Sequence, residues 1–254
     1  MVRTESVRAE RNEHKADGAA VGVPGGVELR IDGSKPLTAA SIAAVEAACA
    51  AVESDPATAV LPVYVSGTPG GGWMHGLDVS LVTKWERALR RLERLGATTV
   101  AVASGACGGA ALDGLLATDY RIATADTALS LAGDGEATWP GMAIFRLARQ
   151  AGGAPVRRAI LFGGRIDAGE SVDLGLVDEL AEDPRGALIA VAERVRTLSG
   201  AELAIRRRLM SEAASTAFED ALGRHLAACD RVLRRSAART PRDDHGGADG
   251  RIPG

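Results

Sequence analysis

Two stretches of this 254-residue chain concentrate glycine where chemistry could use it: SGTPGGGWMHGLD, residues 66–78, and SGACGGAALD, residues 104–113. Each follows an apolar run and precedes a helical pattern. A glycine-rich turn so placed could cradle a phosphate, arm a nucleophile, aim backbone N–H groups at an oxyanion, or let two elements pack closely. The phosphate reading fails, because the second stretch has neither the lysine of GxxxxGK[ST] nor the spacing GxGxxG. The nucleophile reading fails too: G-x-S-x-G is absent and Ser104 precedes the glycines. Two such turns can each present one backbone N–H to the same carbonyl oxygen, which builds an oxyanion hole without a charged side chain. Helix starts favour negative charge at that point. Asp113 falls in the first turn of the second helix, and His75 brings an imidazole able to titrate near neutral pH.

Bulk composition narrows the partners. The net charge is −3 and aromatics make up 3%, so neither a basic footprint nor base-stacking platforms for nucleic acid are expected. Cys49, Cys107 and Cys229 are too widely separated for a disulfide frame or a zinc site, and no bound metal is expected. The first residues, MVRTESVRAERNEHKADG, lack the apolar stretch of a secretory leader, and no run of about 18 apolar residues occurs, so no membrane contact is expected. These features predict a cytoplasmic protein.

The elements that position the two loops follow from periodicity. Residues 1–25 read as a disordered lead ending in GVPGG, and residues 237–254 as a tail of the same kind. Strands are predicted at 27–31, 59–67 and 98–104, with Pro62 marking an irregularity or a sheet edge. DYRIAT, TALSLA and LVDEL read as further short strands. Helices are predicted at 37–53, with Thr38 near the N-cap, and at 81–96, closed by Gly96. Others are expected at 141–151, 154–162, 168–174 and 185–199, and 201–235 reads as helical throughout. Strands alternating with helices predict an α/β domain with a largely parallel sheet and extra C-terminal helices.

These motifs resemble the crotonase (enoyl-CoA hydratase/isomerase) superfamily. WMHGLD (73–78) matches its F-x-A-G-x-D, and SGACGGAALD, ending in TD at 118–119, matches its N-G-x-x-x-G-G-G-x-E. DYRIAT (119–124), WPG (139–141) and GGRIDAGESVDLGLVDEL (163–180) follow in the family's order. The resemblance implies an α/β spiral of ββα units over 26–183 and a helical C-terminal trimerisation region over 184–236. It also implies binding of acyl-CoA thioesters, coenzyme A entering as part of the substrate, with no tightly bound cofactor. By position the oxyanion N–H groups fall on His75 and Ala110, with Gly109 as the alternative second donor. Gly76, Gly108 and Lys35 would contact the thioester.

Departures from the family pattern bear on the reaction. The family's first glutamate falls on Asp113, one methylene shorter, and its second on Gly133, which has no side chain to act as base. Asp134 and Glu136 lie close by, so Asp113 or Glu136 is the candidate acid. Asp78 reads better as a helix cap, Trp73 and Trp139 as wall or core, Cys107 as structural and His225 as surface or interface. AIRRRLM (204–210) would ordinarily be a solvated face, with CoA phosphates or another subunit as the other partners. SGTPGGGW, LVTKWERALRRLERLGATTVA and EATWPGM resemble the subgroup serving 3,5-dihydroxyphenylglycine formation in glycopeptide-antibiotic biosynthesis. That implies work beside a type III polyketide synthase and other crotonases of the pathway, as a homo-oligomer, either trimer or hexamer.

Overall fold

A computed structural model describes residues 26–55, 57–134, 137–198 and 200–239; the expected lead, and the expected tail beyond Arg239, lie outside them. The fold opens with β1 (Leu29–Asp32), α1 (Ala39–Ser54), β2 (Val60–Gly67), α2 (Val79–Leu92), β3 (Thr98–Gly108) and α3 (Ala110–Leu116). It continues through β4 (Tyr120–Ala123), β5 (Ala128–Ser130), the hairpin β6 (Gly133–Asp134) and β7 (Ala137–Thr138), then α4 (Met142–Ala151) and α5 (Gly153–Phe162). After β8 (Ile166–Asp167), α6 (Ala168–Asp173) and β9 (Glu179–Leu180) come α7 (Pro184–Val195), α8 (Gly200–Ala213) and α9 (Phe218–Arg239).

The main sheet runs β1-β2-β3-β4-β9, all parallel, and β5 pairs parallel with β3 and antiparallel with β8. Alternation along β2 divides the core. Leu61, Val63 and Val65 join the large cluster that α1, α2 and α3 complete, while Val60 and Tyr64 face the other side beneath Leu188 and Val191 of α7. Pro62 lies in this interior strand, but only β3 flanks it, because pairing with β1 begins at Val63. A missing N–H is tolerated where one side is unpaired. The register shift in β2 comes later, between Ser66 and Gly67.

Helix starts follow their caps. The Thr38 and Ser41 side chains each accept the other's backbone N–H at 3.3 Å, a capping box for α1. Asp78 accepts from the Leu81 N–H at 2.6 Å and so caps α2. That helix ends at Leu92, short of Gly96. The C-terminal segment is not one helix: the Ser215 N–H and hydroxyl both turn back to the Glu212 carbonyl, and the chain breaks there before α9. α9 then runs on to Arg239, three residues into the expected tail. Arg207, from the arginine run expected to be solvated, turns inward. It grips Asp119 through Nε at 2.7 Å and Nη2 at 2.5 Å, and donates to the carbonyls of Leu95 and Ala97. Asp119 in turn accepts the Thr99 N–H and hydroxyl, which ties α8 to the start of β3.

No helix among the described residues is long and apolar enough to cross a membrane. Among the same residues, no group of His, Cys, Asp or Glu is arranged to hold a metal ion.

The parallel strands all send their following loops to one end of the sheet, and Gly33 sits where three of these ends converge. A β-carbon there would lie 2.4 Å from the Gly108 carbonyl, 2.5 Å from that of Gly67 and 2.8 Å from the Ala111 Cβ. Backbone cannot yield as a side-chain tip does. Gly33→Ala is therefore expected to destabilise the fold by about 1–3 kcal/mol, the usual cost of overpacking, read as a lower urea midpoint at unchanged m-value.

Candidate active site

The two glycine-rich stretches come together at this end of the sheet. The second is mostly strand rather than turn. β3 pairs with β4 over Val100–Ala103, then changes partner and pairs with β5 over Ala106–Gly108. Two of its glycines, Gly105 at φ +61° and Gly109 at φ +51°, take the left-handed conformation that favours glycine, and Gly109 makes the turn into α3. A β-carbon on Gly109 would touch the Pro69 ring at 3.0 Å, and one on Gly108 would meet the Thr68 hydroxyl at 2.4 Å. Thr68 and Pro69 belong to the first loop, so the absence of side chains on Gly108 and Gly109 is what lets the loops touch.

The predicted donors stand as follows. Ala110 is the first residue of α3, so its amide has no carbonyl one helical turn behind it. His75 is exposed in the first loop, and its N–H donates to the Gly72 carbonyl at 2.9 Å. Gly76 completes that turn at φ +82°. Lys35 lies just after Gly33, exposed, with its ammonium 3.4 Å from Asp32.

The position of the family's second glutamate reaches the same place. The Trp73 indole N–H donates to the Gly133 carbonyl at 3.2 Å, and Trp73 meets Trp139 edge to face at 5.4 Å. The β6–β7 hairpin is thereby pinned to the His75 loop. Glu136, the alternative acid, lies outside the described residues. Cys107 is buried, and burial pushes its thiol up to about 11, which removes it as a nucleophile. His225 is exposed on α9.

Asp113 is not a solvated first-turn acid. It is buried, with Oδ2 accepting from the Trp85 indole N–H at 3.2 Å and Oδ1 3.9 Å from Arg146 Nη1. Neither Oδ1 nor Nη1 has a hydrogen-bond partner. Burial, together with the negative charge of Glu86, pushes the Asp113 carboxyl up to about 7 against the opposing pull of Arg146 and the Trp85 hydrogen bond. Trp85, Glu86, Glu93 and Arg146 went unrecognised in the sequence. One signal was available: Glu86 and Glu93 are seven residues apart and therefore share a face of α2 with buried Leu89.

This burial has a consequence for stability. The unfolded carboxyl titrates near 3.8 and the folded one near 7, so between these values the folded state holds more protons than the unfolded state. Stability is then fully present at low pH and falls as pH rises through the window, at about 1.4 kcal/mol per pH unit. Asp113→Asn keeps the acceptor for Trp85 and carries no charge. The stability difference between wild type and this variant, from denaturant midpoints, is expected to move against the wild type from about pH 4 upward. It should level off above 7, near the folded value.

Comparison with known proteins agrees with this arrangement. Residues 73–242 match the enoyl-CoA hydratase/isomerase family. An enoyl-CoA-hydratase of Amycolatopsis orientalis is 53% identical over 213 residues, covering 84% of this chain and 98% of that protein. The fold is shared with a putative enoyl-CoA hydratase/isomerase of Mycobacterium abscessus, with TM-score 0.68, 23% identity and coverage of 83% and 89%. It is also shared with an enoyl-CoA hydratase of Mycobacterium smegmatis, with TM-score 0.68, 18% identity and coverage of 78% and 82%. Two glycine-rich loops joined at the sheet end and this sequence kinship have one explanation: the chain belongs to the enoyl-CoA hydratase/isomerase family, whose members act on CoA thioesters.

Proposed function

We propose that this enzyme is a cytoplasmic dehydratase for a CoA-bound polyketide. It acts beside a type III polyketide synthase and other crotonases of the same pathway, on the route from malonyl-CoA to 3,5-dihydroxyphenylacetyl-CoA. The observation that supports the reading is the buried carboxyl of Asp113, raised to about 7 one turn into α3, in a chain whose second family glutamate position is glycine.

In this reaction the thioester oxygen accepts the Ala110 N–H, with Gly109 as the alternative, and the His75 N–H, which exchanges the Gly72 carbonyl for it. The two amides stabilise the enolate formed when the α-proton leaves. Gly76 and Gly108 let the thioester approach the backbone, and Lys35 faces the CoA phosphates. Ionised Asp113 takes the α-proton and returns it to the departing β-hydroxyl. The C–H and C–OH bonds break, a C=C bond forms, and the hydroxyl leaves as water. A carboxyl with its midpoint near the working pH serves in both directions. Aromatisation of the ring supplies the driving force, so one acid suffices where ordinary hydration uses two. Glu136 is the alternative acid.

A second reading, ordinary hydration of an enoyl-CoA, is favoured by the name borne by the Amycolatopsis relative. A third, a non-catalytic activator of the synthase, is favoured by the inward-facing Asp113 carboxylate. Synthase reconstituted with malonyl-CoA and this protein distinguishes them by mass spectrometry of the thioester products. Asp113→Asn is expected to cut 3,5-dihydroxyphenylacetyl-CoA output by about 10²–10⁴-fold, the usual share of a general acid–base group. Undiminished output with a folded variant removes Asp113 from the reaction, and undiminished stimulation by a pocket-blocked variant favours the activator. Rapid hydration of crotonyl-CoA by the protein alone supports the hydratase.

The enzyme is further proposed to work as a trimer or hexamer assembled through its C-terminal helices. Phe218, Leu222 and Leu226 recur every four residues on α9 and are exposed in the single chain, as is Leu233. Leu226→Glu combined with Leu233→Glu is expected to lower the sedimenting mass to that of one chain without loss of helicity by circular dichroism.

A further inference from the structure

Arg146 is a charged side chain with only 5% exposure, and it meets three carboxylates from two helices. Nη2 reaches Glu86 at 2.8 Å, Nε reaches Glu93 at 3.0 Å, and Nη1 faces Asp113 at 3.9 Å. The helices joined here are the ones that follow the loops of the site. α2 begins at its cap Asp78, three residues after His75; α3 begins at Ala110; and α4 begins after the β6–β7 hairpin that carries Gly133. Nothing in simple packing calls for an ion cluster at that junction, because a buried pair is commonly no more stabilising than an apolar replacement.

We propose that Arg146 is a positioning residue: it joins α2, α3 and α4 and, acting on Asp113, sets the charge state in which that carboxyl meets a bound thioester. The contact with Asp113 is deliberately incomplete in geometric terms. Arg146 spends its two direct hydrogen bonds on Glu86 and Glu93, and Nη1 stands too far from Oδ1 for a third. Asp113 therefore feels the cation without being locked by it, and feels Glu86 with the opposite sign. From the other elements around it, Trp85 donates a neutral hydrogen bond, and Arg90 is engaged by Glu93 at 2.5 Å. The strands under α3 present Ile31, Val65 and Cys107, whose buried thiol stays neutral up to about 11. Arg146 and Glu86 are thus the two charges that tune the carboxyl, in opposite directions.

Carbon-13 NMR of carboxyl-labelled aspartate, with Asp113→Asn identifying the signal, reads this tuning directly in the full-length protein without any substrate. Arg146→Gln is expected to raise the Asp113 midpoint by about one pH unit or more, Glu86→Gln to lower it, and Arg146→Lys to restore most of the wild-type value. A merely structural arginine would leave the pH profile of product formation unmoved in Arg146→Gln. An unmoved midpoint in both folded glutamine variants overturns the proposal, and if Arg146→Gln does not fold, Glu86→Gln alone decides in the same way. The role in turnover rests on the proposed dehydration. Midpoints that move while the pH profile of product formation stays fixed would overturn that role of Asp113 and leave the coupling to Arg146 standing.

Discussion

The carbonyls of Gly67 and Gly108 stand 2.5 and 2.4 Å from where a side chain on Gly33 would begin, so the ends of β1, β2 and β3 meet backbone to backbone. The Gly33 N–H uses that proximity, donating to the Ser66 carbonyl at 2.7 Å. From this junction the chain leaves in three directions: toward Lys35, into the loop that carries His75, and through Gly109 into α3. The loops touch because Gly108 and Gly109 offer no β-carbon to Thr68 and Pro69. The proposed oxyanion site of backbone amides would require such closeness, since an N–H cannot extend itself toward a ligand as a long side chain does.

Behind this backbone surface lies a layer of charge taken out of water. Asp113, Glu86, Glu93 and Arg146 place three negative groups around one buried cation. Desolvation is the largest influence on Asp113, and its direction is toward the protonated acid. The same burial that weakens the folded state at high pH would, in the proposed dehydration, give the carboxyl a midpoint suited to proton transfer near neutrality. Arg207 and Asp119 form a separate ion pair that secures α8, leaving the apolar stripe of α9 facing outward.

Much of the fold was legible in the sequence because periodicity and caps are local. The Thr38 and Asp78 caps and the strand cores followed from residues a few positions apart, and the largely parallel sheet from strands alternating with helices, while the strand order did not. Less legible were features in which tertiary partners override a local pattern. SGACG reads as a turn, yet β5 accepts it as strand. Helical periodicity runs through 201–235, yet Ser215 folds back on Glu212 and breaks it. Pro62 suggests an edge, yet it fits an interior strand because β1 has not begun beside it.

The site divides along the same line. Residue types and spacing alone gave two glycine-rich stretches that follow apolar runs and made a backbone oxyanion arrangement the chemistry to expect, and the family resemblance aligned its two glutamate positions with Asp113 and Gly133. Only the tertiary structure decided that Asp113 turns toward Trp85 and Arg146, that the Trp73 indole holds the Gly133 carbonyl, and that the His75 amide is engaged by Gly72. Residue types and near-neighbour spacing specify which groups a chain carries. The charge state and reach of each depend on desolvation and on partners that lie 28 to 60 residues away in the chain.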